Sequence, residues 1–192
     1  MSLKETDNFK LLKSIQEIKE FDLATYEHCC RVARIALNVA KYKGISGKDL
    51  ETIGVAALLH DFGKTVIPKN ILNKPDKLKG YELETMNSHA FLGSFLLKEH
   101  GIISDPRILK IIYFHNFDGK TDDDFIEIVK SADIYDALIS DRPYKKTLSH
   151  QESIMEMQIN PNLKKRLDLE NVKILSIIEN PNTLPQLRPV FI

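Results

Sequence analysis

A chain of 192 residues, 43% hydrophobic and 28% charged, has room for one domain with a core that needs neither disulfides nor a structural metal. Its 27 basic and 27 acidic residues cancel, which argues against a general nucleic-acid or membrane-surface binder while leaving room for a local basic pocket. The two cysteines are the neighbours Cys29 and Cys30, unsuited to a disulfide framework, and no signal peptide or membrane-length apolar run is present, so a reducing cytoplasm is the expected setting.

In chain order, residues 1–21 predict an amphipathic helical extension with Phe9, Leu12, Ile15 and Ile18 on one face. Residues 22–42 follow as a helix with Asp22 as N-cap, a stripe of Leu23, Val32, Ile35, Ala36 and Val39, and Gly44 as its stop. Residues 48–60 form the next, on Leu50, Ile53, Ala57 and Leu58, and a loop carrying Pro68 and Pro75 comes after it. A third long helix is predicted over 80–99, closed by Gly101. Asp105 and Pro106 then supply an N-cap and an N1 proline for a helix that stops before Gly119. Helices over 122–140, 149–158 and 168–179 complete a domain spanning 22–180, and a proline-rich tail occupies 181–192. No alternating strand pattern of useful length occurs. The expected fold is all-α, a single domain of about seven or more helices.

Ionisable residues sit where this pattern demands apolar ones. His28 is in line with Val32, Ile35 and Val39; His89 with Met86, Gly93 and Leu96; His115 with Ile108, Ile111 and Ile112; Asp133 with Phe125 and Val129. His60 and Asp61 end the apolar run "AALLHDFG". Any one buried histidine is ordinarily a core residue with its hydrogen bonds satisfied. Three histidines, an adjacent His-Asp pair and a further Asp, all inward, would need many unrelated solutions in one core, whereas a shared metal ion satisfies them together. His100 at a helix end, His150 at a helix start, and the two cysteines are read as structural.

The segments "HCCRVARIA", "HDFGKTVIPKNILNKPDKL", "MNSHAFLGSFLL" and "ADIYDALISDRPYKK" resemble the HD-GYP branch of the HD metal-dependent phosphohydrolases over about residues 22 to 160. The resemblance implies a helical domain around one or two divalent transition metal ions, iron or manganese favoured and zinc, nickel or magnesium admitted. It also implies phosphodiester hydrolysis by a metal-activated hydroxide, with cyclic di-GMP as the leading substrate. By the same resemblance His28, His60, Asp61 and Asp133 hold one metal, and Asp61 bridges to a second held by His89 and His115. Lys64 contacts phosphate beside the metals, and Arg142 and Lys145 clamp it. Asp136, one turn after Asp133, is placed to orient a ligand or to cap a helix.

Three departures from the family pattern stand out. Ala24 occupies the position of a glutamate that serves a third metal in some relatives, which limits this chain to two. The paired "HHE" becomes "FHN" at 114–116, and "DGxGYP" is reduced to "DGKTDDD". Hydrolysis of another nucleotide or phosphoester, or a catalytically weak metal-bound signalling module, therefore stand beside the first reading. The expected partner is a phosphate-ester small molecule, with no membrane and no general nucleic-acid binding; a homo-oligomer is compatible with the sequence.

Overall fold

The computed structural model describes residues 3–140 and 147–178, with side chains from residue 8 onward. Arg142, Lys145 and the tail at 181–192 lie outside the described residues. Within them the chain folds as eleven α-helices and one 3-10 turn, with no strand.

Helix α1 (Leu3–Phe21) lies along α2 (Leu23–Tyr42), anchored by the buried Ile18. The expected apolar face of α1 holds only in part. Phe9 and Leu12 are 62% and 44% exposed, while Ile15 and Ile18 make the contact as expected, joined by Leu11. Leu23, at the solvent end of the α2 stripe, is also exposed. Asp22 caps α2 by accepting from the Thr25 N–H at 2.7 Å, and Gly44 ends it with φ +79, a conformation in which a Cβ would be strained.

Helix α3 (Gly47–Leu59) and helix α8 (Asp124–Ile139) sandwich α2. Ala36 and Ala40 of α2 and Ala56 and Ala57 of α3 are buried, and such small side chains let neighbouring helices approach closely. After α3 come the 3-10 turn (Phe62–Val66) and the short α4 (Lys69–Leu72).

The helix expected over 80–99 is two: α5 (Tyr81–Asn87) and α6 (His89–Glu99). At the break the carbonyls of Thr85 and Met86 accept from the Ser88 hydroxyl (2.7 Å) and the His89 imidazole (2.6 Å). Side chains have taken carbonyls that a continuous helix would use, which is how serine competes with helical bonding. Helix α6 packs on the 3-10 turn and on α7 (Pro106–Phe114). The first contact is backbone on backbone. A Cβ on Gly63 would strike the His89 carbonyl oxygen and come within 2.5 Å of Gly93 N.

Between α7 and α8 the chain is fastened by a buried charge pair. Lys130 donates to the Gly119 carbonyl (2.6 Å) and to Glu127 Oε1 (2.7 Å), which also accepts from the Thr121 N–H (2.9 Å) and hydroxyl (3.0 Å). Helices α9 (His150–Ile159), α10 (Pro161–Lys164) and α11 (Leu169–Ile177) close the domain over α8 and α2. No described helix is long and apolar enough to cross a membrane.

Candidate metal centre

Four elements present imidazoles to one buried point, and each ring is oriented by a hydrogen bond from its Nδ1. His60, just past α3, donates to the Ala57 carbonyl at 2.7 Å; His89, opening α6, to Met86 at 2.6 Å; His115, just past α7, to Ile112 at 2.7 Å. In each case the acceptor is the carbonyl three residues earlier, so local helical geometry sets the ring. His28, on α2, turns its Nδ1 to Asp136 Oδ2 at 2.8 Å. Asp136 is held in turn by Arg31 at 2.8 and 3.1 Å and by the Ser140 hydroxyl at 3.1 Å. With Nδ1 as the donor, each ring is left with a lone pair on Nε2.

Those Nε2 atoms converge on two carboxylates. His28 Nε2 is 3.1 Å from Asp133 Oδ1 and 3.5 Å from Asp61 Oδ2; His60 Nε2 is 3.4 Å from Asp61 Oδ2 and 4.0 Å from Asp133 Oδ1. On the other side of Asp61, His89 Nε2 lies 3.2 Å from Oδ1 and 3.1 Å from His115 Nε2. Two sets thus form, His28–His60–Asp133 and Asp61–His89–His115, each with its ligand atoms within 4.8 Å of one another. Asp61 turns one oxygen to each.

These atoms are grouped so that they could hold a cation. His89 and His115 aim two lone pairs at each other, and His60 Nε2 is fully buried with no hydrogen-bond partner. Neutral nitrogen acceptors facing one another in a dry core are unfavourable unless a proton or metal ion lies between them. Neutral imidazoles and carboxylates are the donor types of divalent transition-metal sites, and the Asp136–His28 pairing is the second contact that fixes a ligating histidine. The residues fit the group. Ala24 is exposed and has no ligand atom.

The metal-free charges follow the same logic. Burial works to raise the Asp61 pKa, but Lys64 and His60 beside it hold it well below the usual carboxylate range. Asp133 is likewise lowered against the effect of burial, chiefly by His28. Burial works against the charged form of His60, yet Asp61 carries its pKa well above the ordinary value. His115 behaves oppositely: burial, with the neighbouring His60 and His89 imidazoles adding to it, lowers it to about 3.

All six residues expected as ligands are therefore gathered at one place. Lys64 joins them, its Nζ 2.6 Å from Asp61 Oδ2. His150 is elsewhere, bonded through Nδ1 to the Tyr135 hydroxyl at 2.7 Å, in keeping with a structural role. Sequence reasoning missed Arg31, although its place three residues after His28 puts it on the same helix face. It also treated Cys29 as packing, whereas the Cys29 sulfur lies within 4.8 Å of a His60 ring nitrogen and an Asp61 oxygen.

Comparison with known proteins agrees with this geometry. The model of the HD domain matches residues 25–138. The cyclic di-GMP phosphodiesterase response regulator RpfG of Xanthomonas campestris pv. campestris is 31% identical over 154 residues, 74% of this chain and 41% of its own. A cyclic di-GMP phosphodiesterase of Pseudomonas aeruginosa is 31% identical over 156 residues, 76% of this chain and 38% of its own. The chain thus spans about two fifths of the length of these curated relatives. Among solved structures, the HD domain of the L. monocytogenes phosphodiesterase PgpH, in complex with cyclic-di-AMP, superposes with a TM-score of 0.63 at 18% identity, covering 86% of this chain and 92% of that one. That likeness is one of fold.

Proposed function

The chain belongs to the HD-domain family, and from that premise we propose that it is a metal-dependent phosphodiesterase acting on a cyclic dinucleotide, cyclic di-GMP first among them. The observation that carries this reading is Asp61, buried between two imidazole sets with an oxygen turned to each. Two curated relatives named as cyclic di-GMP phosphodiesterases support it.

In this reading His28, His60, Asp61 and Asp133 hold one divalent ion, and Asp61, His89 and His115 the other, iron or manganese before zinc, nickel or magnesium. Ions bound there supply Lewis acidity and, by acidifying water, a nucleophile near neutral pH. The chain's own groups do the rest. Arg31 and Asp136 keep His28 in the tautomer that leaves Nε2 free. The side chains of Asp133 and Lys64 are 23% and 22% exposed, while those of His28, His60, Asp61 and His89 are at most 10% exposed, so the substrate phosphate approaches along that edge. Burial works against the Lys64 charge, but the adjacent Asp61 carboxylate raises its pKa and keeps it cationic. One ammonium proton is committed to Asp61, which leaves two for the non-bridging oxygens of a phosphate. Arg142 and Lys145 are proposed to hold the remaining phosphate. A cytoplasmic site of action belongs to the same reading, supported by two free cysteines.

A second reading, turnover of a different phosphoester or binding without turnover, has one observation in its favour. The paired histidines of the family pattern are reduced here to His115, flanked by Phe114 and Asn116, and the loop that follows is short and tied down by Lys130 and Glu127. The test is a substrate panel of cyclic di-GMP, cyclic di-AMP, mononucleotides and a generic phosphodiester, with iron- or manganese-loaded protein. The expected result is conversion of cyclic di-GMP to the linear dinucleotide or GMP, abolished in His60→Ala. Turnover of another ester alone reassigns the substrate, and turnover of none overturns the hydrolase reading.

A further inference from the structure

Cys29 follows His28 on α2, is 1% exposed, and turns its sulfur toward the centre. That sulfur, a ring nitrogen of His60 and an Asp61 carboxylate oxygen lie within 4.8 Å of one another, the same spread that defines the two imidazole–carboxylate sets. His60 is the independent pointer: it is fully buried, its Nε2 has no hydrogen-bond partner, and the residue belongs both to the Cys29 set and to the His28–Asp133 set. A thiol that was merely packing material would be expected among apolar neighbours; this one lies among ligand atoms.

We propose that Cys29 is a further ligand of the ion held by His28, His60, Asp61 and Asp133, so that this half of the centre is a mixed nitrogen, oxygen and sulfur site. The proposal rests on the reading of the cluster as a metal centre. On coordination the S–H bond breaks, its proton leaves to solvent, and a metal–sulfur bond forms with no change of oxidation state. A thiolate donor biases the half-site toward softer ions such as zinc or ferrous iron and away from magnesium and manganese, while the Asp61–His89–His115 half keeps a sulfur-free donor set. The two halves therefore differ in metal preference.

Cobalt(II) titration of the metal-free chain tests this without reference to turnover. Cys30 is the internal control, because it is the only other cysteine and is hydrogen-bonded to Tyr26. Wild type and Cys30→Ser are expected to develop a near-ultraviolet sulfur-to-cobalt charge-transfer band together with the visible bands of bound cobalt. Cys29→Ser is expected to lose the charge-transfer band and keep the visible ones. Visible bands without charge transfer in wild type overturn the Cys29 assignment and leave the metal centre standing. No cobalt spectrum in wild type overturns both, and a charge-transfer band that survives Cys29→Ser overturns the assignment alone. Should Cys29→Ser not fold, the wild-type and Cys30→Ser spectra still decide the matter.

Discussion

Replacing Gly63 with alanine strikes the joint that brings the two halves of the centre together. The added Cβ falls on the His89 carbonyl and within 2.5 Å of Gly93 N, where ordinary contact begins at 3.4 Å, so the 3-10 turn and α6 must part by about 0.9 Å or more. Both obstacles are backbone, which cannot rotate aside as a side chain would. Asp61 rides on one segment and His89 on the other, 3.2 Å apart, and the same displacement opens that gap to about 4 Å. Overpacking of this kind costs about 3 kcal/mol at the upper end of its usual range. For a chain of this size that lowers the melting temperature by about 6–12 °C. Gly93→Ala, whose Cβ would meet Gly63 N at 2.9 Å, should cost less. Calorimetry of the metal-free variant reads the stability, and elemental analysis after gel filtration reads the metal content. The variant is expected to lose the Asp61–His89–His115 ion first. If Gly63→Ala melts within about 1 °C of wild type and retains a full metal complement, the close-approach argument is refuted.

Asp136→Asn removes the carboxylate that accepts from His28 Nδ1, and metal affinity should fall about 10–100-fold by isothermal titration, with little loss once metal is saturating. An unchanged dissociation constant would show that the Asp136–His28 pairing is incidental. Lys130→Met leaves Glu127 charged and buried, at a cost of about 3–5 kcal/mol in urea unfolding, and adding Glu127→Leu should recover part of it. Additive losses would contradict a coupled pair. In the metal-free chain His115 is held down to about 3 by burial and its imidazole neighbours, so below about pH 6.5 the unfolded state takes a proton that the folded state refuses. His60 and His28, raised by Asp61, Asp133 and Asp136 against the effect of burial, stabilise fully below that pH and lose the contribution above it. Melting temperature should climb between about pH 4.5 and 6.5 and then turn down, and a flat profile would contradict the charge assignment.

Much of this was legible in the chain because short-range rules govern it. Asp22 and Asp105 cap helices where cap chemistry says they should. The four helical ionisable residues fell in register with apolar stripes, and helical period alone turns such residues toward one core. What escaped was tertiary. Nothing local says that Ser88 and His89 will take the carbonyls of Thr85 and Met86 and divide a helix. Arg31 meets Asp136 across 105 residues, and a buried Lys130 reads as a surface residue until Glu127 and the Gly119 carbonyl are seen around it. Of the face read on α1, Ile15 and Ile18 make the contact while Phe9 and Leu12 stay exposed, with Leu11 packing in their place. Gly63 carries no local signal of its role, which is to let the backbone of α6 press against it.

Anomalous diffraction from crystals grown with ferrous iron tests the central claim most directly. Two peaks are predicted, one on each side of the Asp61 carboxylate, the first among His28, His60 and Asp133 and the second beside His89 and His115. Density showing the four Nε2 atoms paired with water or with one another, and no anomalous signal near Asp61, would contradict it.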